Sequence, residues 1–441
     1  MNIVILYERK TREIYNDLML KVILESKGHS CEIAQMYEAD KFTGYSGRPD
    51  IILAPHLYST REIPRIWSRF GKCETIVNFQ YEQILSLEQE NEGIFDPVGE
   101  AMNAIHICWG EKTQKRLTKA GIKDKNLPIL GAMQLDLLRE GYIANANEMK
   151  KDYASQFGID KEKKWLLFLS SFTYADAADA WVKMNENNVN ASRENTRELH
   201  SLSRKEILSW FEKLLEETDD VEIIYRPHPD ENFLASVNEI SEKYANFHVI
   251  NIDPVKNWIN CCDLIYSWYS TSVIEAYYLN KKFSILRPIG ISSESEISFL
   301  KEMNFIENED AFLENVLGNS NILKESNNID IIKSYYYVDS KETAVEKYAN
   351  YIELLYRNSV KYKFNISAKE KYKAQFKTFG VKIVYGLYKK FKNKLDLDYY
   401  RKRLDNNYFI RWFIEMDNQI VQKEDLLDIE INIKNQLNVA K

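Results

Sequence analysis

Val221-Glu222-Ile223-Ile224-Tyr225 is a short apolar run that breaks at Arg226-Pro227-His228-Pro229-Asp230, and its surroundings decide the fold. Its length and its β-branched residues suit a buried strand better than a helix. A helical pattern precedes it from Arg204 to Glu216, another follows over Asn232 to Tyr244, and a further apolar run comes at Phe247 to Ile250. Strands that are apolar throughout and separated by helices imply a parallel sheet covered on both faces. The rhythm continues outward: Trp165 to Leu169, Asp263 to Tyr266 and Phe283 to Leu286 read as strands, and Ser272 to Leu279 as a helix.

Upstream, the same alternation fills the first 150 residues. Strand-like runs occur at Ile3 to Tyr7, Cys31 to Ala34, Ile51 to Ala54, Thr75 to Phe79 and Ile105 to Trp109, and a helix over Ile14 to Ser26 is stopped by Gly28. A polar stretch containing Asn145, Asn147, Lys150, Lys151, Asp152 and Lys161 to Lys164 marks a boundary. The expected architecture is α/β, with two Rossmann-like, doubly wound parallel-sheet domains over 1–150 and 151–356 and a helical basic tail over 357–441. Ligands of such sheets bind outside the carboxyl ends of the strands, which directs attention to the segments after Phe79, Leu169, Tyr225 and Tyr266.

Composition narrows the partners. With 45% hydrophobic and 28% charged residues over 441 positions, the chain is not collagenous, disordered or a disulfide scaffold. Its 59 Lys and Arg against 66 Asp and Glu give a net charge of −7, which argues against nucleic acid. Five cysteines without paired spacing fit a reducing cytoplasm. The opening apolar run meets Glu8-Arg9-Lys10 too soon for a signal peptide, and no stretch nears the roughly 18 to 20 apolar residues of a membrane span. Lys361 to Arg403 differs: fourteen Lys or Arg stand against Glu370, Asp396 and Asp398, with Tyr362, Phe364, Tyr372, Phe376, Phe379, Tyr385, Tyr388 and Phe391 interleaved. That mixture suits either an anionic inner-membrane surface or a basic face resting on an acidic domain of the same chain.

No G-x-G-x-x-G, P-loop, H-E-x-x-H or G-x-S-x-G motif occurs, which lowers nicotinamide, P-loop and common hydrolase readings. Asp396-Leu397-Asp398 lies in the tail and reads as surface, so no metal is expected. The prolines flanking His228 restrict the backbone on both sides, aiming an imidazole and Arg226 from a strand end at a phosphate oxygen. Tyr266-Ser267-Trp268-Tyr269-Ser270-Thr271-Ser272 brings hydroxyls to a helix start, another phosphate-binding device, and Glu275 one turn later faces the same side, in reach of a ribose diol. In the first half, Glu82 of Asn78-Phe79-Gln80-Tyr81-Glu82-Gln83 is placed to take a proton from a sugar hydroxyl. Glu8, Arg12 and Glu13 follow the first strand, where an acceptor would bind, and Ser170 and Ser171 are expected to line a nucleotide pocket. His29, His56, His106, His200 and His248 read as structural.

Glu8 to Glu13, Gln80 to Gln83, Cys108-Trp109-Gly110, Gly131 to Asp136, Arg226 to Pro229 and Ser270 to Glu275 together resemble bacterial surface-carbohydrate biosynthesis proteins of the GT-B glycosyltransferase fold, over about residues 1–356. More distantly, His228-Pro229 and the hydroxyl cluster resemble the His-Pro and Ser/Thr motifs of bacterial sialyltransferases, polysialyltransferases and Kdo transferases. That resemblance implies a CMP-activated sugar as co-substrate, no metal, and a glycan or lipid-linked acceptor. It implies His228 for leaving-group stabilisation, Ser270, Thr271, Ser272, Arg226 and Pro229 around the nucleotide phosphate, Glu275 on the ribose, and Glu82 as base. Where those relatives carry an Asp/Glu-Asp/Glu-Gly motif, this chain has Tyr81-Glu82-Gln83. CDP-glycerol-type glycerophosphotransferases and UDP-sugar epimerases share the architecture and are the alternatives, beside a non-catalytic assembly scaffold.

Overall fold

The computed structural model describes residues 1–176, 193–231, 233–318, 329–339, 341–394 and 408–439. It forms two compact units, one of Met1–Leu85, Gln89–Tyr142 and Lys333–Lys441, the other of Ser86–Glu88 and Ile143–Ile332. Each is a parallel sheet with helices, so the chain is the expected pair of doubly wound α/β domains with a C-terminal helical segment.

In the first unit, β1 (Asn2–Tyr7), β2 (Ser30–Gln35), β3 (Ile51–Ala54), β4 (Ile76–Asn78) and β5 (Ile105–His106) pair in the order β2-β1-β3-β4-β5. The order reverses between β1 and β3, and a ligand-binding crevice opens at such a reversal, at the carboxyl ends of the strands. The helix Lys10–Ser26 ends as expected: Gly28 takes φ 87°, its N–H donates to the Glu25 carbonyl at 2.9 Å, and the His29 N–H reaches the Leu24 carbonyl at 3.2 Å.

In the second unit, β6 (Lys164–Leu169) lies between β7 (Val221–Arg226) and β9 (Leu264–Ser267), with β8 (Phe247–Val249) beyond β7 and β10 (Phe283–Leu286) and β11 (Phe305–Ile306) beyond β9. Taking β6 as first strand, this is the 3-2-1-4-5-6 order of dinucleotide folds, reversing between β6 and β9. β6 explains why its sequence is apolar throughout. Leu166 and Phe168 pack with Phe211 and Leu214 on one face, while Trp165, Leu167 and Leu169 pack with Tyr153 and Trp258 on the other. The two-residue β11 carries too short a pattern to be read from sequence. The helix expected from Asn232 spans Ala235–Lys243, and Asn232 itself is outside the described residues.

The division of the chain differs from the expected boundaries at 150 and 356. Residues 333–356, expected in the second domain, and the described parts of the tail group with the first unit. The reason is local. Asp136, buried, accepts from the Ala344 and Val345 N–H groups at 3.0 and 2.8 Å, holding the start of the helix Ala344–Arg357, which Thr343 and Glu346 cap. Gly110 and Gly131 let this chain segment approach: a Cβ on Gly131 would meet the Tyr337 carbonyl at 2.6 Å, and one on Gly110 would press into the Ser334 and Tyr335 backbone. Trp109 stacks on Tyr336 at 5.6 Å. The Cys108-Trp109-Gly110 and Gly131 to Asp136 motifs therefore dock chain that returns from the second unit. The tail follows as helices Ala368–Phe391, Tyr408–Gln419 and Lys423–Val439, the last tied to the first helix by a Lys21–Glu430 ion pair of 2.8 Å. Asp396 to Asp398 and Arg401 to Arg403 lie outside the described residues.

Candidate functional site

At the carboxyl edge of the first sheet, charged side chains are tied to one another. Glu13 is fully buried, and its carboxylate accepts from the Glu8 N–H at 2.6 Å, the Arg9 N–H at 3.3 Å, and Arg12 Nε and Nη2 at 2.9 and 2.6 Å. It caps the turn from β1 into its helix, a role that Arg9 at the N-cap does not fill. Burial raises the Glu13 pKa against the opposing pull of Arg12. Arg12 also donates from Nη1 to Glu82 Oε1 at 2.5 Å and lies 5.4 Å above the Tyr81 ring. Burial works against the Arg12 charge, but Glu13 and Glu82 outweigh it and raise its pKa.

The Gln80-Tyr81-Glu82-Gln83 loop is shaped from beneath. Gln80, at φ 53°, donates its N–H to Asn78 Oδ1 at 2.9 Å, and its side chain reaches the Phe95 carbonyl at 2.8 Å. Gln83 donates to the Ile107 carbonyl and accepts from the Trp109 N–H, both at 2.8 Å. Gln80, Tyr81 and Gln83 are buried, leaving Glu82 as the member of the loop at the surface, 40% exposed. Arg12 fixes its position.

His56 is the group on this edge that the sequence reading set aside. It follows Pro55 at the end of β3, stacks on Tyr58 at 5.2 Å, and has the Tyr37 hydroxyl 2.9 Å from Nε2. Glu8 lies 3.7 Å from Nε2 and Glu62 3.8 Å from Nδ1. Burial disfavours the imidazolium, but Glu62 and Glu8 more than compensate and raise the pKa. A signal was present: Pro55-His56 and Pro227-His228 are the same pair of residues, each just past a strand end. His106 and His200 are buried, and burial pushes them down to about 4 and about 3.

In the second unit, Glu231 organises the His228 turn. Its buried carboxylate accepts from Ser170 Oγ at 2.5 Å, the Tyr225 hydroxyl at 2.7 Å, Arg204 Nη1 at 3.2 Å and the His228 N–H at 3.2 Å. Arg204 is also paired with Asp176. The Ser170 hydroxyl is thus engaged inside the protein, and Ser171 lies buried beside it. His228 Nδ1 accepts from the Asp230 N–H at 3.1 Å, which orients the ring, and its side chain is 40% exposed. Glu231, three residues after His228 and too polar to be expected in a core, was missed; its spacing from the Pro-braced histidine was the available cue.

The hydroxyl segment leaves the same sheet edge. β9, β6 and β7 are neighbours, so the His228 and Ser270 segments start two strand spacings apart, about 10 Å. The Ser267 hydroxyl bonds the Leu169 carbonyl at 3.2 Å, and the Ser170 N–H bonds the Arg226 carbonyl at 3.0 Å, stitching the three strand ends together. Ser270 accepts from the Ser272 N–H at 3.2 Å, and Thr271 and Ser272 are half-buried ahead of the short helix Val273–Tyr278. Arg226 turns its guanidinium to the Ile252 carbonyl at 2.8 Å and to the Asp253 carbonyl, bracing the loop after β8. Pro229 lies in the turn that Glu231 closes through its N–H to the His228 carbonyl at 2.8 Å.

Glu275 is the unsettled member. Its Oε2 is buried without a hydrogen-bond partner among the described residues. Burial pushes its pKa up to about 7, opposed by Lys256 and Arg226. Those cations are lowered in turn by burial, Lys256 to about 8 and Arg226 to about 10. A buried oxygen without a donor, beside cations short of solvent, is what a polar ligand with hydroxyl and anionic groups would complete. Among the described residues, no group of three or more His, Cys, Asp or Glu side chains is arranged to hold a metal ion.

Neither protein-family models nor curated protein sequences match the chain. Solved structures do. A structure of the wall teichoic acid polymerase TagF, a variant soaked with CDPG, matches with a TM-score of 0.52 at 11% identity, over 82% of this chain and 90% of that one. A UDP-GlcNAc 2-epimerase of Methanocaldococcus jannaschii, in complex with UDP-GlcNAc and UDP, matches with a TM-score of 0.51 at 13% identity, over 80% of this chain and 100% of that one. At such identity the likeness is one of fold, and the fold is GT-B.

Proposed function

We propose that the chain is an inverting, metal-independent glycosyltransferase of bacterial surface-glycan assembly, working in the cytoplasm on a nucleotide-sugar donor and a glycan or lipid-linked acceptor. One observation carries this reading: the Pro-braced His228 and the Ser270 to Glu275 segment share the carboxyl edge of a sheet whose strand order is that of dinucleotide-binding folds. His228 meets the phosphate of the departing nucleotide and stabilises the charge that develops as the glycosidic bond breaks. Ser270, Thr271 and Ser272 add hydroxyls to that phosphate, and the unpartnered Glu275 oxygen takes a ribose hydroxyl. Glu82 removes the proton from the acceptor hydroxyl as it attacks. For the donor, the His-Pro and Ser/Thr resemblance favours a CMP-sugar, such as a nonulosonic acid or Kdo.

A second reading is supported by the TagF likeness: transfer from a CDP-glycerol-type donor with the same edge serving the nucleotide. Incubation with candidate donors, with and without a glycan acceptor, separates the readings by product, and product formed from a UDP-sugar without acceptor would mark an epimerase instead. His228→Ala is expected to lower turnover about 10²- to 10³-fold. Full turnover in that variant would discard the mechanism, whereas full turnover in Glu82→Gln would discard only the base assignment.

A further inference from the structure

The helix Ala368–Phe391 is apolar on two opposite sides. Ala374, Thr378, Tyr385 and Tyr388 are buried, the two tyrosines against Phe413 and Ala39, which accounts for one side. The other is bare. Tyr372, Phe376, Phe379, Ile383 and Leu387 recur at helical spacing on a single stripe, Phe376 being 81% and Tyr372 73% exposed. Singly exposed apolar residues are ordinary, but five in register along one helix are not.

The rim of the stripe is cationic. The helix carries seven lysines and one glutamate, and that Glu370 is engaged with Ser367 at the helix start. The acids that touch later parts of the helix, Asp40 and Asp417, meet Lys389 and Tyr385. Toward the middle, Lys377 is lowered below the usual ammonium range by Arg65 first, then by burial, Arg69 and Lys373. Arg69 itself is buried, forms no ion pair among the described residues, and has an Nε without an acceptor. Among the described residues, no carboxylate forms an ion pair with Arg65, Arg69, Lys373 or Lys377, so positive charge is concentrated here.

We propose that this stripe and its lysine rim are a docking surface for an anionic lipid bilayer, with Tyr372, Phe376, Phe379, Ile383 and Leu387 entering the headgroup–acyl boundary and Arg65, Lys373 and Lys377 meeting lipid phosphates. A second copy of the chain fits less well, since a twofold contact would set lysine rim against lysine rim. The attachment proposed is lateral, through one face of the helix; no helix among the described residues is long and apolar enough to cross a membrane. The inference rests on the proposed function only in giving a use to such a surface, namely reaching a lipid-linked acceptor.

Cosedimentation with vesicles tests it. The protein is expected to pellet with phosphatidylcholine vesicles containing phosphatidylglycerol, to release in high salt, and not to pellet with phosphatidylcholine alone. Lys373→Ala and Lys377→Ala should each weaken partitioning about fivefold, and Phe376→Glu with Phe379→Glu should weaken it about tenfold or more. Equal pelleting with neutral vesicles, no pelleting with either, or a stable dimer that dissociates on Phe376→Glu would overturn the proposal. Nucleotide binding measured on the same samples keeps the two readings apart: lipid binding without nucleotide binding removes the transferase and leaves the docking surface, and the reverse removes only the docking surface.

Discussion

The two sheet edges use charge in opposite ways. On the first, Glu13, Arg12 and Glu82 satisfy one another and the turn after β1, and His56 lies between Glu8 and Glu62. On the second, Glu231 is saturated by four donors, while Glu275 keeps a buried oxygen without a partner beside Lys256 and Arg226. A satisfied network is rigid before any ligand arrives. An unsatisfied group is tolerated where a ligand completes it. The contrast concerns the carboxylates alone, because His56 Nδ1 and the Tyr58 hydroxyl at the first edge are also buried without a hydrogen-bond partner among the described residues: Glu13 and Glu82 are ion-paired with Arg12, whereas Glu275 Oε2 has no hydrogen-bond partner there.

The largest expected effect falls on the saturated carboxylate of the second edge. Glu231→Ala leaves Arg204 with Asp176 and the Phe233 carbonyl but takes the acceptor from the buried Ser170 and Tyr225 hydroxyls and from the His228 N–H, and should lower stability by about 3–5 kcal/mol in urea unfolding. A loss under about 1 kcal/mol would mean that Glu231 does not organise this edge. Arg12→Ala tests the first edge in the same way. Because Arg12 is 40% exposed, the expected loss is smaller, about 1–2 kcal/mol, with Glu13 still held by two backbone N–H groups.

Glu275→Gln probes the incomplete site through pH. The folded pKa of about 7 lies above the ordinary 4.5, so Glu275 adds stability fully below pH 4.5 and loses it as pH rises through 7. The variant should therefore match the wild type near pH 4.5 and be more stable, by of order 1–2 kcal/mol, above pH 7. A pH-independent difference would indicate that Glu275 is an ordinary ionised carboxylate, and the contrast between the edges would lose its basis.

What the sequence made legible was whatever depends on local pattern. The apolar runs of β6 and β7 had to be buried on both faces, Gly28 had to end its helix, and prolines had to hold His228 at a strand end. Partnerships across long sequence separations were hidden. Nothing in Gly131 to Asp136 says that its acid will hold the backbone at Ala344 and Val345, so a docking clamp read as part of a functional motif, and the chain's return to the first unit went unseen. The bond from Ser170 to Glu231 spans 61 residues and leaves no local mark in the sequence. The surroundings of His56 were hidden in the same way, since Glu8, Tyr37 and Glu62 converge on it only in three dimensions.

The most direct measurement is thermal unfolding of the wild type and of His228→Ala against CMP, CDP, UDP and GDP. At a concentration about 100 times its Kd, a nucleotide that binds the second edge should stabilise the wild type by about 2.7 kcal/mol, and His228→Ala should retain its fold while losing most of that gain. If none of the four nucleotides stabilises the wild type, or if the variant is stabilised equally, the second edge is not a nucleotide phosphate site.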